Sequence, residues 1–205
     1  MGSAVTSVSL HHDQQHALVT TQAGHVCLLR LTTLKVVSVF KASAPVTYTT
    51  GCLHPDGLIY LSGTSEGALW LWDLKSKSLA GSLQEGTAAV QAVQVSPNGY
   101  HIAAAYADGI VRVWDLRKQK VLATLNADGS RDSAVTSVTF DDAAKYVLFG
   151  GGGSAIKMVP VKEWTNEMEI QGSSEGLIFA GWTLECGIVG AGNKGILCYG
   201  KPSSS

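Results

Sequence analysis

Two turn motifs and a Trp-Asp dipeptide recur in this chain at a spacing of 42 residues. Asp56-Gly57 returns as Asn98-Gly99, Glu66-Gly67 returns as Asp108-Gly109, and Trp72-Asp73 returns as Trp114-Asp115. Each repeat has the same order: an alternating apolar stretch, the Asp/Asn-Gly turn, a second apolar stretch, a turn of small residues, and a third stretch that ends at the dipeptide. Self-similarity at this period is typical of repeat architectures, in which each unit buries its apolar faces against its neighbours. The chain is therefore expected to be an array of similar units.

The best-preserved repeat predicts four short strands, at residues 90–95, 101–105, 110–114 and 120–125. Four antiparallel strands in a repeat of this length correspond to one blade of a β-propeller. The same frame fits the rest of the chain, and it predicts an all-β fold of about five blades with a short flexible tail at residues 200–205. The predicted units span about residues 4–40, 44–83, 89–125, 133–170 and 175–199.

The turns and the third strand of these units resemble the WD-repeat family. The resemblance is carried by the Gly-rich turns, by the turn SPNG at 96–99 and by the strand VRVWDL at 111–116. It implies a WD-repeat β-propeller. The Gly-His dipeptide common in this family is absent, and the family's turn Asp is kept only as Asp108, so the buried Asp-His-Ser/Thr-Trp network of the family is expected to be incomplete in every blade. The resemblance assigns structural repeat positions to Trp72, Asp73, Asp108, Trp114 and Asp115.

A closer resemblance covers residues 48–170. Here the order of features, including a blade that replaces Trp-Asp by Val159-Pro160 before Lys162-Glu163-Trp164-Thr165, is similar to the C-terminal propellers of the pre-mRNA-processing factor 19 family. Members of that family are splicing scaffolds and U-box ubiquitin ligases. The resemblance implies a nuclear protein-interaction module that recruits splicing-complex subunits and ubiquitination substrates. In the family the ligase activity lies in a U-box and oligomerisation in a coiled coil; no residues here match either, so this chain is not expected to be an enzyme.

The number of units is smaller than the family's propellers require. Those propellers have seven blades, whereas about five units fit into 205 residues. Only residues 1–4 precede the first predicted strand, and no closing strand is identified. We therefore expect an incomplete part of a seven-bladed ring, whose sheet edges at both ends are open to association.

Composition limits the kinds of partner. Lys and Arg number 15 against 16 for Asp and Glu, so the chain lacks the basic surplus typical of nucleic-acid binders, and direct nucleic-acid binding is not favoured. No signal peptide or apolar run long enough to span a membrane is found, which predicts a soluble intracellular protein without a membrane partner. The four cysteines lie far apart and are expected to be reduced and buried, without metal ligation; they are Cys27, Cys52, Cys186 and Cys198.

Several motifs invite a chemical interpretation, but each has a simpler structural one. The group His11-His12 with His16 maps onto a turn, which favours solvated histidines over a metal site. Gly150 to Gly153 lacks the Lys-Ser/Thr that a phosphate loop needs, and Asp141-Asp142 falls at a turn position. No catalytic set, cofactor site, metal site or small-molecule ligand is predicted.

Partner binding is the remaining function. Exposed aromatic and Arg side chains on the loops commonly anchor protein partners, and we select Tyr106, Arg112 and Arg117 as candidates. Trp70 is expected in the core or along a groove, and either Trp164 or Trp182 could be exposed. Two functions stay open: the partner-recruiting propeller of a splicing factor, and a generic WD-repeat adaptor of another intracellular complex. An enzyme built on a propeller is least favoured.

Overall fold

The structure of the chain is a computed structural model, which describes residues 3–42, 45–126, 134–151, 155–171, 177–183, 187–192 and 195–199. These residues form strands joined by turns and short connections, and the described part of the chain contains no helix that could span a membrane. The strands are β1 (Val5–Leu10), β2 (His16–Thr21), β3 (His25–Arg30), β4 (Lys35–Lys41), β5 (Tyr48–Leu53), β6 (Ile59–Thr64), β7 (Ala68–Asp73), β8 (Ser78–Gln84), β9 (Val90–Val95), β10 (His101–Tyr106), β11 (Ile110–Asp115), β12 (Lys120–Asn126), β13 (Ser137–Phe140), β14 (Tyr146–Gly150), β15 (Ala155–Pro160), β16 (Met168–Gln171), β17 (Leu177–Thr183), β18 (Gly187–Gly192) and β19 (Gly195–Tyr199).

The chain divides into two compact units, Met1–Val95 and Ser96–Ser205. The first unit contains two four-stranded antiparallel sheets, with the orders β1-β2-β3-β4 and β5-β6-β7-β8, and ends with β9. In the second unit β10, β11 and β12 pair in chain order, β13 to β16 form a four-stranded sheet, and β17 to β19 form a three-stranded sheet. Within each sheet the strands therefore pair in chain order, as the repeat predicts.

The core of the first unit lies between its two sheets. Leu18, Val26 and Phe40 of the first sheet are buried against Tyr60 and Trp72 of the second. The Phe40 and Trp72 ring centroids lie 6.2 Å apart in an edge-to-face arrangement, which aromatic pairs favour. One face of the first sheet is thereby covered.

The opposite face of the first sheet is apolar, and its outer strands are exposed. Residues directly opposite in an antiparallel pair share a face. The register gives two continuous rows on this face, Val8–Val19–Cys27–Val39 and Leu10–Ala17–Leu29–Val36. At the outer strands the exposed fractions are 60% for Val8, 68% for Leu10, 54% for Val36 and 46% for Val39. We call these two rows the outer face of the first sheet. The exposed part of this face thus lies at the outer strands, whereas Ala17 and Val19 of β2 are buried.

The second unit has its own core between the last two sheets. Leu148, Ile156 and Met158 pack against Ala180 and Ile188. Side-chain hydroxyls add hydrogen bonds between these sheets: Thr136 Oγ1 donates to the Ile178 carbonyl at 2.6 Å, and the Ala180 amide donates to Ser137 Oγ at 2.9 Å.

The turns repeat as faithfully as the strands. Gly57 and Gly99 both have φ of 73°, and Gln14 and Ala144 occupy the same turn position at 55°. The left-handed region is nearly free for Gly but costly for other residues, which explains why glycine recurs there. One backbone hydrogen bond closes each of four repeats: the amides of Leu31, Leu74, Leu116 and Val161 donate to the carbonyls of Gln15, Leu58, Tyr100 and Lys145.

The predicted strands of the best repeat are confirmed at β9 to β12, to within one residue at each end. The strand predicted to lack Trp-Asp is present as β15, and it ends at Pro160. The predicted tail at 200–205 lies outside the described residues.

Candidate protein-interaction surface

The two Trp residues of the repeat have similar burial but different hydrogen bonding. Trp72 is 1% exposed, and its Nε1 donates to Ser62 Oγ at 3.0 Å. Trp114 is 3% exposed, and its Nε1 has no hydrogen-bond partner among the described residues. The residue that corresponds to Ser62 in this repeat is Ala104, which has no side-chain hydroxyl. Part of the family's Trp network is therefore present in one blade and missing from the next.

The Asp of each dipeptide organises the turn that follows it. Asp73 Oδ1 accepts the amides of Lys75 and Ser76 at 2.8 and 3.1 Å. Asp115 Oδ1 accepts the amides of Arg117 and Lys118, both at 3.0 Å. These backbone hydrogen bonds hold the pKa of both carboxyl groups below the usual range. The geometry at Asp73 and Asp115 is that of turn formation.

Two of the three proposed partner-binding residues lie inside the protein. Tyr106 is 0% and Arg112 is 8% exposed, and the Arg112 guanidinium lies 4.5 Å from the centroid of the Tyr106 ring. Arg112 Nη2 is also 3.7 Å from Asp108 Oδ2. The expectation that Tyr106 and Arg112 are exposed anchors is therefore wrong, because the guanidinium stacks on the ring beneath the surface.

The third candidate, Arg117, is exposed. Its guanidinium lies 4.3 Å from the centroid of the Tyr100 ring, which is 47% exposed. Sequence reasoning missed Tyr100, although its position directly after the Asn98-Gly99 turn could have indicated it. Stacking of Arg on an exposed ring presents a flat, partly apolar surface to solvent.

The histidine group in the first unit has a structural role in its turn. His16 Nδ1 lies 2.7 Å from Asp13 Oδ2, and this hydrogen bond is the main reason why the pKa of Asp13 is far below the usual range. His11 and His12 reach from this turn to the backbone carbonyls of Gly57 and His54, at 3.1 and 3.3 Å. The histidines thus lie in the turn that the sequence predicts, but they tether it to the next sheet as well as facing solvent. The described residues contain no cluster of metal-ligating side chains.

The remaining motifs that invite a chemical interpretation, the Asp pair, the cysteines and the glycine run, lie only partly within the described residues. Asp141 Oδ1 accepts the amides of Lys145 and Tyr146 at 2.7 Å, as expected for a turn residue. Cys27 and Cys52 are free and half-buried, and burial raises the pKa of Cys52 to about 12. Cys186 and the last two residues of the glycine run, Gly152 and Gly153, lie outside the described residues, as does the side chain of Cys198.

The described residues of the second unit form a groove. Its volume is about 930 Å³, within the range of ligand-binding clefts. One side is formed by Asn98 and His101, and the other by the β13–β14 turn and the β15–β16 connection. The described lining residues are Asn98, His101, Ala143, Ala144, Lys145, Tyr146, Pro160, Val161, Lys162, Glu163, Asn166 and Met168. We refer to it as the second-unit groove.

Short backbone hydrogen bonds fix the loops of the second-unit groove. The Val161 amide donates to the Lys145 carbonyl at 2.8 Å, which joins the two loops on the same side. The Glu163 amide donates to Pro160 at 3.0 Å, and the Asn166 amide donates to Glu163 at 2.9 Å. Two consecutive turns therefore hold the connection between β15 and β16 in a defined shape.

Tyr146 and Met168 form the floor of the second-unit groove, and His101 lies on its side. Tyr146 and Met168 are half-buried and pack against the core of the second unit. Trp164, which is half-buried, meets the His101 ring edge-to-face at a centroid distance of 6.2 Å. Burial lowers the pKa of His101, while nearby Asp115 raises it and Arg117 lowers it further.

Trp70 is half-buried in the first unit, and Trp182 packs against the core of the second.

Comparisons with known proteins agree with this architecture. A family model described as Vps8 beta-propeller matches residues 50–171. Pre-mRNA-processing factor 19 of Oryza sativa subsp. japonica is 31% identical over 156 residues, which cover 76% of this chain and 29% of the rice protein.

Two further relatives extend the comparison. Pre-mRNA-processing factor 19 homolog 2 of Arabidopsis thaliana is 35% identical over 156 residues, covering 75% of this chain and 28% of that protein. A shorter match, 36% identical over 81 residues, is to Protein LST8 homolog of Drosophila melanogaster and covers 40% of this chain and 25% of that protein. The chain thus spans less than a third of the length of each of these relatives.

Proposed function

We propose that this chain is the partner-recruiting domain of a nuclear pre-mRNA splicing factor. The chain belongs to the WD-repeat β-propeller family, which the Vps8 model matches. The observation that carries this proposal is the similarity to two plant pre-mRNA-processing factors over three quarters of the chain. Apart from Tyr48 and Thr49 of β5, the strands of the two Trp-Asp repeats and of the repeat without the dipeptide fall within the residues matched by the family model.

The chemistry of the described residues supports binding. The conspicuous polar groups, Asp73, Asp115 and Asp141, are engaged in turns. Exposed candidates for partner contact are the Arg117–Tyr100 stack and the second-unit groove. We propose that any ubiquitin-ligase chemistry of the longer protein is carried by another domain, and that this chain brings splicing-complex subunits and ubiquitination substrates to it. We also propose that the five repeat units form an incomplete part of a propeller ring.

Affinity purification tests the proposal directly. The tagged chain is incubated with nuclear extract, and bound proteins are identified by mass spectrometry, with an unrelated WD-repeat domain of similar size as control. Enrichment of splicing-complex proteins over the control is the expected result. Recovery of a single unrelated complex would contradict the splicing assignment.

A second candidate function is an adaptor in a complex unrelated to splicing. The observation that favours it is the match to Protein LST8 homolog, which reaches 36% identity over a shorter segment. The same purification separates the two candidates, because each predicts a different set of captured proteins.

A further inference from the structure

We propose that the second-unit groove binds an extended acidic peptide segment of a partner protein, in which a carboxylate side chain stands next to an apolar one. This inference rests on the proposed function as a protein-recruiting domain and adds the chemistry of the ligand. It is carried by three properties of the groove: its size, its apolar floor and its unpaired lysines.

The size of the groove and its apolar floor favour a peptide as the ligand. A volume of about 930 Å³ accommodates several side chains of an extended chain. Tyr146 and Met168 offer apolar surface while their other sides pack on the core. Such a floor is suited to an apolar anchor residue, since a central buried anchor contributes much of the affinity at protein interfaces.

Two lysines supply the charge. Lys145 and Lys162 are both exposed and line the groove, and the Val161–Lys145 backbone hydrogen bond holds their segments side by side. Among the described residues neither lysine has an ion pair, whereas Lys157 in the same unit pairs with Glu167 at 3.0 Å. Two like charges on adjacent segments repel each other, and a ligand carboxylate relieves that repulsion.

Glu163 is the acidic member of the described lining, and it has no ion pair within the described residues either. The charged side chains described in the groove are thus two ammonium groups and one carboxylate, which leaves a local positive excess. Glu163 limits the favourable register of an acidic ligand, because a carboxylate placed near it is repelled. Lys145 and Lys162 therefore define where the acidic residue of the peptide sits.

Nucleic acid is the competing occupant, since lysines beside aromatic rings also suit single-stranded RNA. The observations favour a peptide because the described lining residues include only two lysines and the whole chain carries a formal charge of −1. An RNA tract would need a longer positive surface along its backbone.

The test begins with a phage-displayed random nonapeptide library selected on the full chain. The most enriched sequence is synthesised with a fluorescent label, and its affinity is measured by fluorescence anisotropy. The charge-reversal variant Lys145→Glu/Lys162→Glu is compared with the matched control Lys35→Glu/Lys75→Glu, which changes two exposed lysines of the first unit. All four side chains are exposed, and circular dichroism verifies that the folds are unchanged.

We expect enriched peptides to combine Asp or Glu with a neighbouring apolar residue. We expect the groove variant to bind about tenfold more weakly, since two attractions become repulsions, and the control to bind like the parent chain. Failure to enrich any peptide, enrichment of basic or purely apolar peptides, or equal binding by the groove variant would overturn the inference. Displacement of the peptide by a uridine oligonucleotide at comparable concentration would overturn it in favour of RNA.

The same variant separates this inference from the proposed function. If Lys145→Glu/Lys162→Glu captures splicing proteins as well as the parent chain does and the peptide test fails, the groove assignment is wrong while the splicing assignment stands. If the peptide binds as expected but purification returns only an unrelated complex, the splicing assignment fails and the ligand chemistry stands.

Discussion

The indole of Trp72 donates a hydrogen bond to the hydroxyl of Ser62 at 3.0 Å, in a place where both side chains are buried. This bond satisfies a donor that water cannot reach. Because an unpaired buried polar group is costly, the pair gives the second sheet a specific polar link within an apolar layer.

Ser62→Ala is expected to destabilise the protein by about 1–3 kcal/mol, since it leaves Trp72 Nε1 buried without an acceptor. Urea unfolding followed by tryptophan fluorescence measures the change. Ser78→Ala, which removes an exposed hydroxyl in the same sheet, serves as the control and is expected to change stability by less than about 0.5 kcal/mol. Equal midpoints for the two variants would show that the Trp72–Ser62 bond contributes nothing.

Ala104→Ser is the converse experiment in the next repeat. Trp114 Nε1 lacks a partner among the described residues, and position 104 corresponds to that of Ser62. A serine there can accept the indole hydrogen, so we expect a stabilisation of about 0.5–1.5 kcal/mol. The urea midpoint reports this stabilisation. The double variant Ala104→Ser/Trp114→Phe lacks the indole donor, so it should be no more stable than Trp114→Phe alone.

His101 is expected to make stability fall in mildly acidic solution. Burial lowers its pKa below the ordinary value of 6.5, so the unfolded chain binds a proton at this site more readily than the folded chain. Its contribution is therefore complete above about pH 6.5 and is lost as the pH falls through the lowered value. Asp115 and Arg117 act on the imidazole in opposite directions.

Urea midpoints at pH 7.5, 6.5 and 5.5 check this expectation. His101→Asn should show a smaller loss of stability between pH 7.5 and pH 5.5 than the parent chain. Parallel curves for the two proteins would exclude a contribution from His101.

The outer face of the first sheet is expected to drive self-association. Val8 and Val39 lie in one row of this face and are about half exposed, and contiguous apolar surface of this kind promotes association. Val8→Lys/Val39→Glu should shift the molar mass measured by light scattering at high concentration towards the monomer, with a change in stability of about 1 kcal/mol or less.

Leu122→Lys is the matched control for that experiment. Leu122 is 43% exposed on β12, in a different sheet. It should leave the concentration dependence of the molar mass unchanged. A parent chain that is monomeric at every concentration would contradict the expectation for the outer face.

The fold follows closely from the sequence because the repeat imposes the same strands several times. The third strand of the fourth repeat could be predicted without its Trp-Asp, since Ile156 and Val159 keep the apolar positions of Val111 and Trp114. The burial of Arg112, in contrast, could not be predicted from the repeat pattern. Arg112 stands where Trp70 stands one repeat earlier, and nothing in the local pattern indicates that its guanidinium stacks on Tyr106.

The second-unit groove could not be predicted from the sequence either. Its lining comes from three separate turns, and its members are ordinary lysines, alanines and asparagines. What brings Lys145 beside Lys162 is the backbone hydrogen bond from Val161, which no residue type specifies. Repeats predict the scaffold well, whereas the surface depends on how particular turns meet.

The backbone hydrogen bond that closes each repeat persists from Leu31 to Val161, whether or not the strand ends in Trp-Asp. At β15 the dipeptide is Val159-Pro160, and the bond from Val161 to Lys145 still forms at 2.8 Å. A blade can thus lack the Trp-Asp dipeptide and still keep its strands and its closing hydrogen bond. Counting motifs will underestimate the number of repeats in diverged propellers, and searches based on strand register and turn spacing should recover those that motif counts miss.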